Sequence, residues 1–269
     1  MGTIAMITYA HPDDVAARIA AKLGGRPLLL LSDFDGTLCE FEPIPETVRL
    51  KPSRHDALAA LAARDRVSIG LVSGRRLADL RERSGLRDCA WLAGLHGLEI
   101  EGFDCAFVHP RVDEARGLIG LLVRSLRAQT ADLPGVLIED KGYSMSMHLR
   151  QAHPDDKIKA DAIFLRMTLP HIDDGTLRLM TGSNVSELLP NIPWTKGNAV
   201  RWILDAESER RGQVPCLIYL GDDFTDEDAF REVGDASSII IGPRPSHVPT
   251  RLAEPSDVEA FLEALSARL

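Results

Sequence analysis

Leu28-Leu29-Leu30-Leu31-Ser32-Asp33-Phe34-Asp35-Gly36-Thr37-Leu38 decides how this chain is read. Four consecutive leucines suit a strand buried on both faces, the kind a parallel sheet uses. The run ends at two carboxylates spaced two apart, and Gly36-Thr37 then reads as a tight turn. Ligands of open α/β sheets bind outside the carboxyl ends of the strands. Asp33 and Asp35 are therefore expected side by side in a crevice at the rim of a sheet. Adjacent carboxylates repel, so a positive group must neutralise them. Magnesium, which takes oxygen ligands, is the natural candidate.

Composition narrows the setting. A chain of 269 residues is long enough for one large or two small domains. The net charge of -9 argues against non-specific binding to nucleic acid or to an anionic membrane. It leaves a phosphorylated small molecule open, because local cationic groups decide that. Cys39, Cys89, Cys105 and Cys216 show no Cys-x-x-Cys spacing and read as reduced core residues of a cytoplasmic protein. No apolar run approaches a membrane span, and the first ten residues lack the pattern of a signal peptide.

Outward from the leucine run, the pattern alternates strand and helix. Residues 12–24 predict a helix, with Pro12 in its first turn, Asp13 and Asp14 complementing its dipole, and Gly24-Gly25 stopping it. After a loop carrying Pro43 and Pro45 come a helix over 52–64, a buried strand over 67–72 ending at Ser73-Gly74-Arg75, and a helix over 76–84. Short strands follow at 90–93 and 98–101, with His96-Gly97 between them. The pattern then changes to an amphipathic helix over 113–130, strands at 136–140 and 143–150, a helix over 155–168, and strands near 176–180 and 185–189. Met145, Met147 and Leu149 alternate with Ser144, Ser146 and His148, which predicts a sheet covered on one side only. Helix-strand alternation resumes at Lys196-Gly197, with a strand over 215–220 ending in Gly221-Asp222-Asp223, a helix over 226–233, a strand over 237–241 and a last helix over 256–268. The organisation expected is an N-terminal helix (1–25), an α/β core (26–104 and 191–269), and an α+β insert (105–190). Ala10-His11-Pro12-Asp13-Asp14 resembles the metal motif of a zinc deacetylase family, but the same five residues recur at 152–156. Recurrence at two helix starts is better explained by capping.

Four strand ends or helix starts carry chemistry: Asp33 and Asp35, Ser73, Lys196, and Asp222 with Asp223 and Asp226. Phosphoryl transfer needs a nucleophile, an acid/base, a cation clamp and donors to phosphate oxygens, and each role has a candidate. In order and position the set resembles the four motifs of the haloacid-dehalogenase (HAD) phosphatase superfamily. The resemblance implies a Rossmann-like α/β core with a parallel sheet and an inserted α+β cap of the C2 type. It also implies that Asp33 attacks phosphorus and forms an aspartyl phosphate while Asp35 acts as acid and then base. Ser73 and Lys196 would hold phosphoryl oxygens. Magnesium would bind at Asp33, Asp35 and Asp222, with Asp223 and Asp226 as further ligands or groups that orient them.

Residues 28–245 as a whole resemble the trehalose-6-phosphate phosphatase family. The likeness rests on Ser73-Gly74-Arg75, His96-Gly97-x-Glu99, Glu139-Asp140-Lys141-Gly142, Lys196-Gly197-x-Ala199-Val200 and the acidic run from Gly221 to Phe230. It implies a small-molecule partner, the sugar phosphate trehalose 6-phosphate. Thr37, Gly74, Arg75 and His96 would contact that substrate from the core, and Glu139, Lys141, Arg150 and Glu187 would bind its glucose hydroxyls from the cap. One departure stands out: the family's Glu-x-Arg-Pro is Glu187-Leu188-Leu189-Pro190 here. A phosphatase of another glycosyl phosphate, sucrose-phosphate or glycosyl-phosphoglycerate, and a sugar-phosphate sensor without turnover are the alternatives. The sequence leaves the oligomeric state open.

Overall fold

The computed structural model describes residues 7–42, 47–86, 89–182 and 184–269; the loop at Pro43 and Pro45 lies outside them. The chain divides into two compact units, one running to Phe107 and resuming at Trp194–Leu269, the other Val108–Pro193. The chain begins with α1 (Pro12–Leu23), β1 (Leu28–Ser32), α2 (Pro52–Ala62), β2 (Val67–Val72), α3 (Leu77–Ser84), β3 (Ala90–Gly94), β4 (Glu99–Gly102) and β5 (Cys105–Val108). The insert holds α4 (Arg116–Gln129), β6 (Leu137–Asp140), β7 (Met145–His148), α5 (Pro154–Asp173), β8 (Leu177–Gly182) and β9 (Val185–Pro190). The first unit resumes with α6 (Lys196–Arg211), β10 (Cys216–Gly221), α7 (Glu227–Val233), β11 (Ser238–Ile241), β12 (Arg251–Leu252) and α8 (Pro255–Ser266).

The first unit is built on one sheet in the order β12-β11-β10-β1-β2-β3-β4-β5, parallel from β12 to β3, with β4 antiparallel to β3. The leucine run sits at its centre. Leu28 and Leu30 pack with Ile19, Leu61 and Phe261 on the face covered by α1, α2 and α8. Leu29 and Leu31 pack with Val200, Ile203 and Phe230 on the face covered by α6 and α7. Full burial of each leucine contributes about 1.5–3 kcal/mol, so a polar residue on either face of this strand is costly. Phe107 and Trp194, where the chain leaves and re-enters this unit, stack with ring centroids 5.1 Å apart.

The second unit has an antiparallel sheet, β6-β7-β9-β8. One face packs Ile138, Met145, Met147 and Leu188 against Ile119, Leu126 and Phe164 of α4 and α5. The opposite face departs from the expectation of an open polar surface, because Ser144 and Ser146 are fully buried. Lys141 on β6's side and Glu187 on β9 form an ion pair of 3.0 Å across the intervening β7. His148 meets Glu139 at 2.8 Å. Long paired side chains thus cover the small serines between them.

Further differences concern where elements lie. The helix expected over 155–168 continues to Asp173, past Pro170. A proline removes one intrahelical bond, and so near a helix end the remaining bonds, such as Asp174 N–H to the Pro170 carbonyl, complete the turn. β5 and β12 had no expectation. The repeated His-Pro-Asp-Asp is a helix start in both places: His153 Nδ1 accepts from the Asp155 N–H, while His11 makes no such bond.

Candidate active site

β10, β1 and β2 are neighbours in parallel register, so their carboxyl ends bring Asp222, Asp33 and Ser73 to one edge of the sheet. Each element has a local reason to deliver its group there. Gly36 has φ +85°, and a Cβ on it would lie 2.2 Å from Asp222 Oδ2, so only glycine lets the turn after β1 pass this close. Thr37, fully buried, donates from Oγ1 to Asp222 Oδ1 (2.8 Å) and so orients that carboxylate. Lys196 opens α6 behind a capping box of Thr195 and Asn198. Its Nζ reaches Asp33 Oδ1 (2.9 Å) and Asp226 Oδ1 (2.8 Å), and the side chain is 2% exposed.

Asp33, Asp222 and Asp226 form an acidic cluster, offering oxygens within 4.8 Å of one another. Their surroundings give them different roles. Asp226 accepts from Lys196 Nζ, the Tyr219 hydroxyl (2.7 Å), the Asp222 N–H (3.0 Å) and the Asp223 N–H (2.9 Å). A carboxylate has about four acceptor positions, so Asp226 is saturated and acts as the post around which the turn is built. Asp33 and Asp222 keep acceptor capacity. Burial pushes Asp33 up to about 7 against the pull of Lys196, with the neighbouring Asp226 adding to the rise. Burial and the carboxylates of Asp33 and Asp226 lift Asp222 well above the usual range. Lys196 is held charged because Asp226 and Asp33 outweigh the cost of its burial. Three acidic side chains crowd around one ammonium, and an all-oxygen donor set of this kind fits a hard divalent cation.

Asp35 and Asp223 lie apart from this cluster. The Asp35 carboxylate is clasped by Arg75 through Nη2 (2.6 Å) and Nε (2.7 Å), and Arg75 also reaches Asp79 (2.9 Å). Asp223 caps the short turn at Phe224–Asp226 with its own side chain. Ser73, 1% exposed, accepts from the Arg75 N–H (3.2 Å), with Gly74 between them. His96 is buried with φ +57°, next to Leu95 at +50°, both left-handed without being glycine. Such residues each cost about 1–2 kcal/mol, and bonds to the serine turn hold them: His96 N–H to the Ser73 carbonyl (2.8 Å) and Leu95 N–H to the Arg75 carbonyl (2.7 Å).

In the insert, Glu139, Lys141 and Glu187 share the polar face of the sheet, with Ser146 directly between Glu139 and Glu187 in register. Ser146 Oγ is buried without a hydrogen-bond partner. Burial opposes ionisation of Glu139, but the His148 bond and the Lys141 charge prevail and hold it below its usual range. Arg150 is exposed just beyond β7. Leu189, where the family motif carries an arginine, is fully buried. Sequence reasoning passed over His148, whose pairing with Glu139 the alternation along β7 would have suggested. It also passed over Arg244, whose Nε donates to the Asp222 carbonyl (2.9 Å) from a loop without a pattern.

A parallel sheet with an acidic cluster at the ends of β1 and β10, a serine after β2, a lysine at a helix start and an α+β insert defines the haloacid-dehalogenase fold. The fold is shared with the C-terminal domain of Candida albicans trehalose-6-phosphate phosphatase, which superposes with a TM-score of 0.81 at 20% identity, covering 98% of this chain and 99% of that one. Residues 31–263 match the family model described as trehalose-phosphatase, and the chain belongs to that family. A trehalose-phosphate phosphatase of Mycobacterium bovis (strain BCG / Pasteur 1173P2) is 36% identical over 96% of this chain. One of Mycolicibacterium paratuberculosis is 33% identical over 93%. The chain spans 66% and 65% of the lengths of these relatives.

Proposed function

We propose that this chain is a magnesium-dependent phosphatase that hydrolyses trehalose 6-phosphate to trehalose and phosphate through an aspartyl phosphate. The observation that carries the reading is Asp33: buried at a strand end, one oxygen bound to Lys196 and acceptor capacity to spare. Lys196 screens its charge, which lets a carboxylate approach an anionic phosphoryl group. The Asp33 oxygen forms a bond to phosphorus as the bond to the sugar oxygen breaks, and Asp35 gives that oxygen its proton. Water then attacks the acyl phosphate, Asp35 takes a proton from it, and Asp33 is regenerated. Two bonds from Arg75 set the direction of the Asp35 side chain. Ser73 and Lys196 hold phosphoryl oxygens. Asp33, Asp222 and the Asp35 carbonyl would hold magnesium, which when bound neutralises charge on the phosphoryl oxygens.

The carboxylates and the lysine on the insert's polar face, Glu139, Lys141 and Glu187, together with Arg150, recognise the sugar. Charged partners strengthen bonds to hydroxyls, and Glu139 and Glu187 are each already oriented by a paired cation or imidazole. The buried Leu189 favours a second reading, in which the preferred sugar is another glycosyl group. One assay decides between them: phosphate release from trehalose 6-phosphate, sucrose 6-phosphate and a glycosyl phosphoglycerate, with magnesium and with chelator. Turnover is expected with magnesium only and fastest on trehalose 6-phosphate. A faster rate on another member would reassign the sugar, and full turnover in chelator would remove the metal.

A further inference from the structure

Asp222 is held at three points. Its N–H donates to Asp226 Oδ2 (3.0 Å), its side chain accepts from Thr37 (2.8 Å), and its carbonyl accepts from Arg244 Nε (2.9 Å). The next N–H, that of Asp223, also donates to Asp226 (2.9 Å). The peptide between Asp222 and Asp223 is therefore gripped from both sides, by Asp226 at its N–H and by Arg244 at its carbonyl. Arg244 arrives from the far connection between β11 and β12, 22 residues further along the chain. Its own position is fixed by three different groups. One Nη donates to the Pro245 carbonyl (2.9 Å), the other pairs with Glu227, and the guanidinium lies over the Phe224 ring at 4.6 Å. Phe224 itself is 70% exposed, so this contact has little hydrophobic burial to account for it. A planar fork that bonds in two directions and stacks in a third is what arginine offers and lysine does not.

We infer that Arg244 is a positioning residue for the metal site. It fixes the Asp222 peptide, and through it the direction of the Asp222 carboxylate, before any cation arrives. Groups of this kind orient ligands, and their loss weakens metal binding by roughly 10–100-fold. The inference rests on the reading that Asp222 holds the cation, and the test separates the two.

Magnesium alone is titrated into the protein by calorimetry, without substrate, and the rise in melting temperature that it causes is recorded. Arg244→Ala is expected to weaken magnesium binding on the order of 10-fold, with Arg244→Lys between it and the wild type. Phe224→Ala and Glu227→Gln loosen the guanidinium without removing it, and are expected to shift the isotherm the same way by less. These two variants carry the test if Arg244→Ala does not fold. A purely structural role would lower the melting temperature of the metal-free protein and leave the isotherm unmoved. Wild-type magnesium affinity in the folded variants overturns the inference about Arg244. Absence of magnesium binding by the wild type overturns instead the assignment of the cation to Asp222.

Discussion

Asp33 and Asp35 are two positions apart in sequence and differently placed in chemistry: one faces an ammonium, the other a guanidinium. If Asp33 is the nucleophile, Asp33→Asn removes it while keeping the shape, and phosphate release should fall at least about 1,000-fold. A rate near wild type on any substrate of the panel would take the attacking role from Asp33. A residue outside the site makes a pH prediction. Bonds from Arg54 hold Glu40 down, from its ordinary 4.5 to about 2. A depressed carboxylate contributes stability that is present above its unfolded pKa and is lost as the pH falls through the folded one. Glu40 is partly exposed, so the solvent-screened contribution is under about 1 kcal/mol. Melting curves of wild type and Glu40→Gln should differ at pH 7, with the wild type higher, and converge as the pH falls from about 4.5 toward 2. A gap that stays constant across that range would mean that Glu40 acts by packing.

Helix α6 connects the two poles of the sheet. Its first residue, Lys196, serves the acidic cluster, while Glu207 near its other end is fully buried and anchors it. Glu207 accepts from Trp91 Nε1 (3.0 Å), Arg210 (2.7 Å) and Ser68, and pairs with Arg211. Removing one partner of a buried charged network leaves the others unsatisfied, so Glu207→Ala should cost about 3–5 kcal/mol. Equilibrium unfolding in urea measures it, and a loss below about 1 kcal/mol would show that water satisfies the arginines. Elements of this kind were the legible part of the chain. β2 falls on 67–72 as expected because all six residues are buried, and β1 because its leucines serve two cores. β5, mostly exposed, and β12, two residues long, carry no hydrophobic period to detect. The burial of Ser144 and Ser146 was missed for another reason: pairing between Lys141 and Glu187 is set by a sheet order that the sequence does not display. Asp33, Ser73, Lys196 and Asp222 could be picked out as candidates because each directly follows a strand or starts a helix. Arg244 was not, because its partner is a backbone carbonyl, and a carbonyl leaves no trace in residue identity.

The first unit has two apolar clusters and the insert one, and among the described residues the insert's cluster draws on the insert alone. If phosphoryl chemistry belongs to the first unit and sugar recognition to the insert, damage to the insert should be selective. Glu139→Ala should lower kcat/KM on trehalose 6-phosphate on the order of 10–100-fold, because a hydrogen bond to a charged group is worth about 1.5–3 kcal/mol. It should change turnover of p-nitrophenyl phosphate little. Equal losses on both substrates would mean that Glu139 supports the fold rather than reading sugar. The stacked rings of Phe107 and Trp194 extend the point. They fasten together the two places where the inserted segment is spliced into the chain, as a buckle closes a strap. A transplant at that seam would enter and leave the chain beside these two rings. A chain in which a short glycine-serine bridge joins Phe107 to Trp194 should keep the eight-stranded sheet and a cooperative melt, and a non-cooperative melt would show that the seam does not hold alone. On the proposed reading, a seam that closes on itself makes the insert an exchangeable cassette, through which one catalytic frame could be fitted to new sugars without being rebuilt.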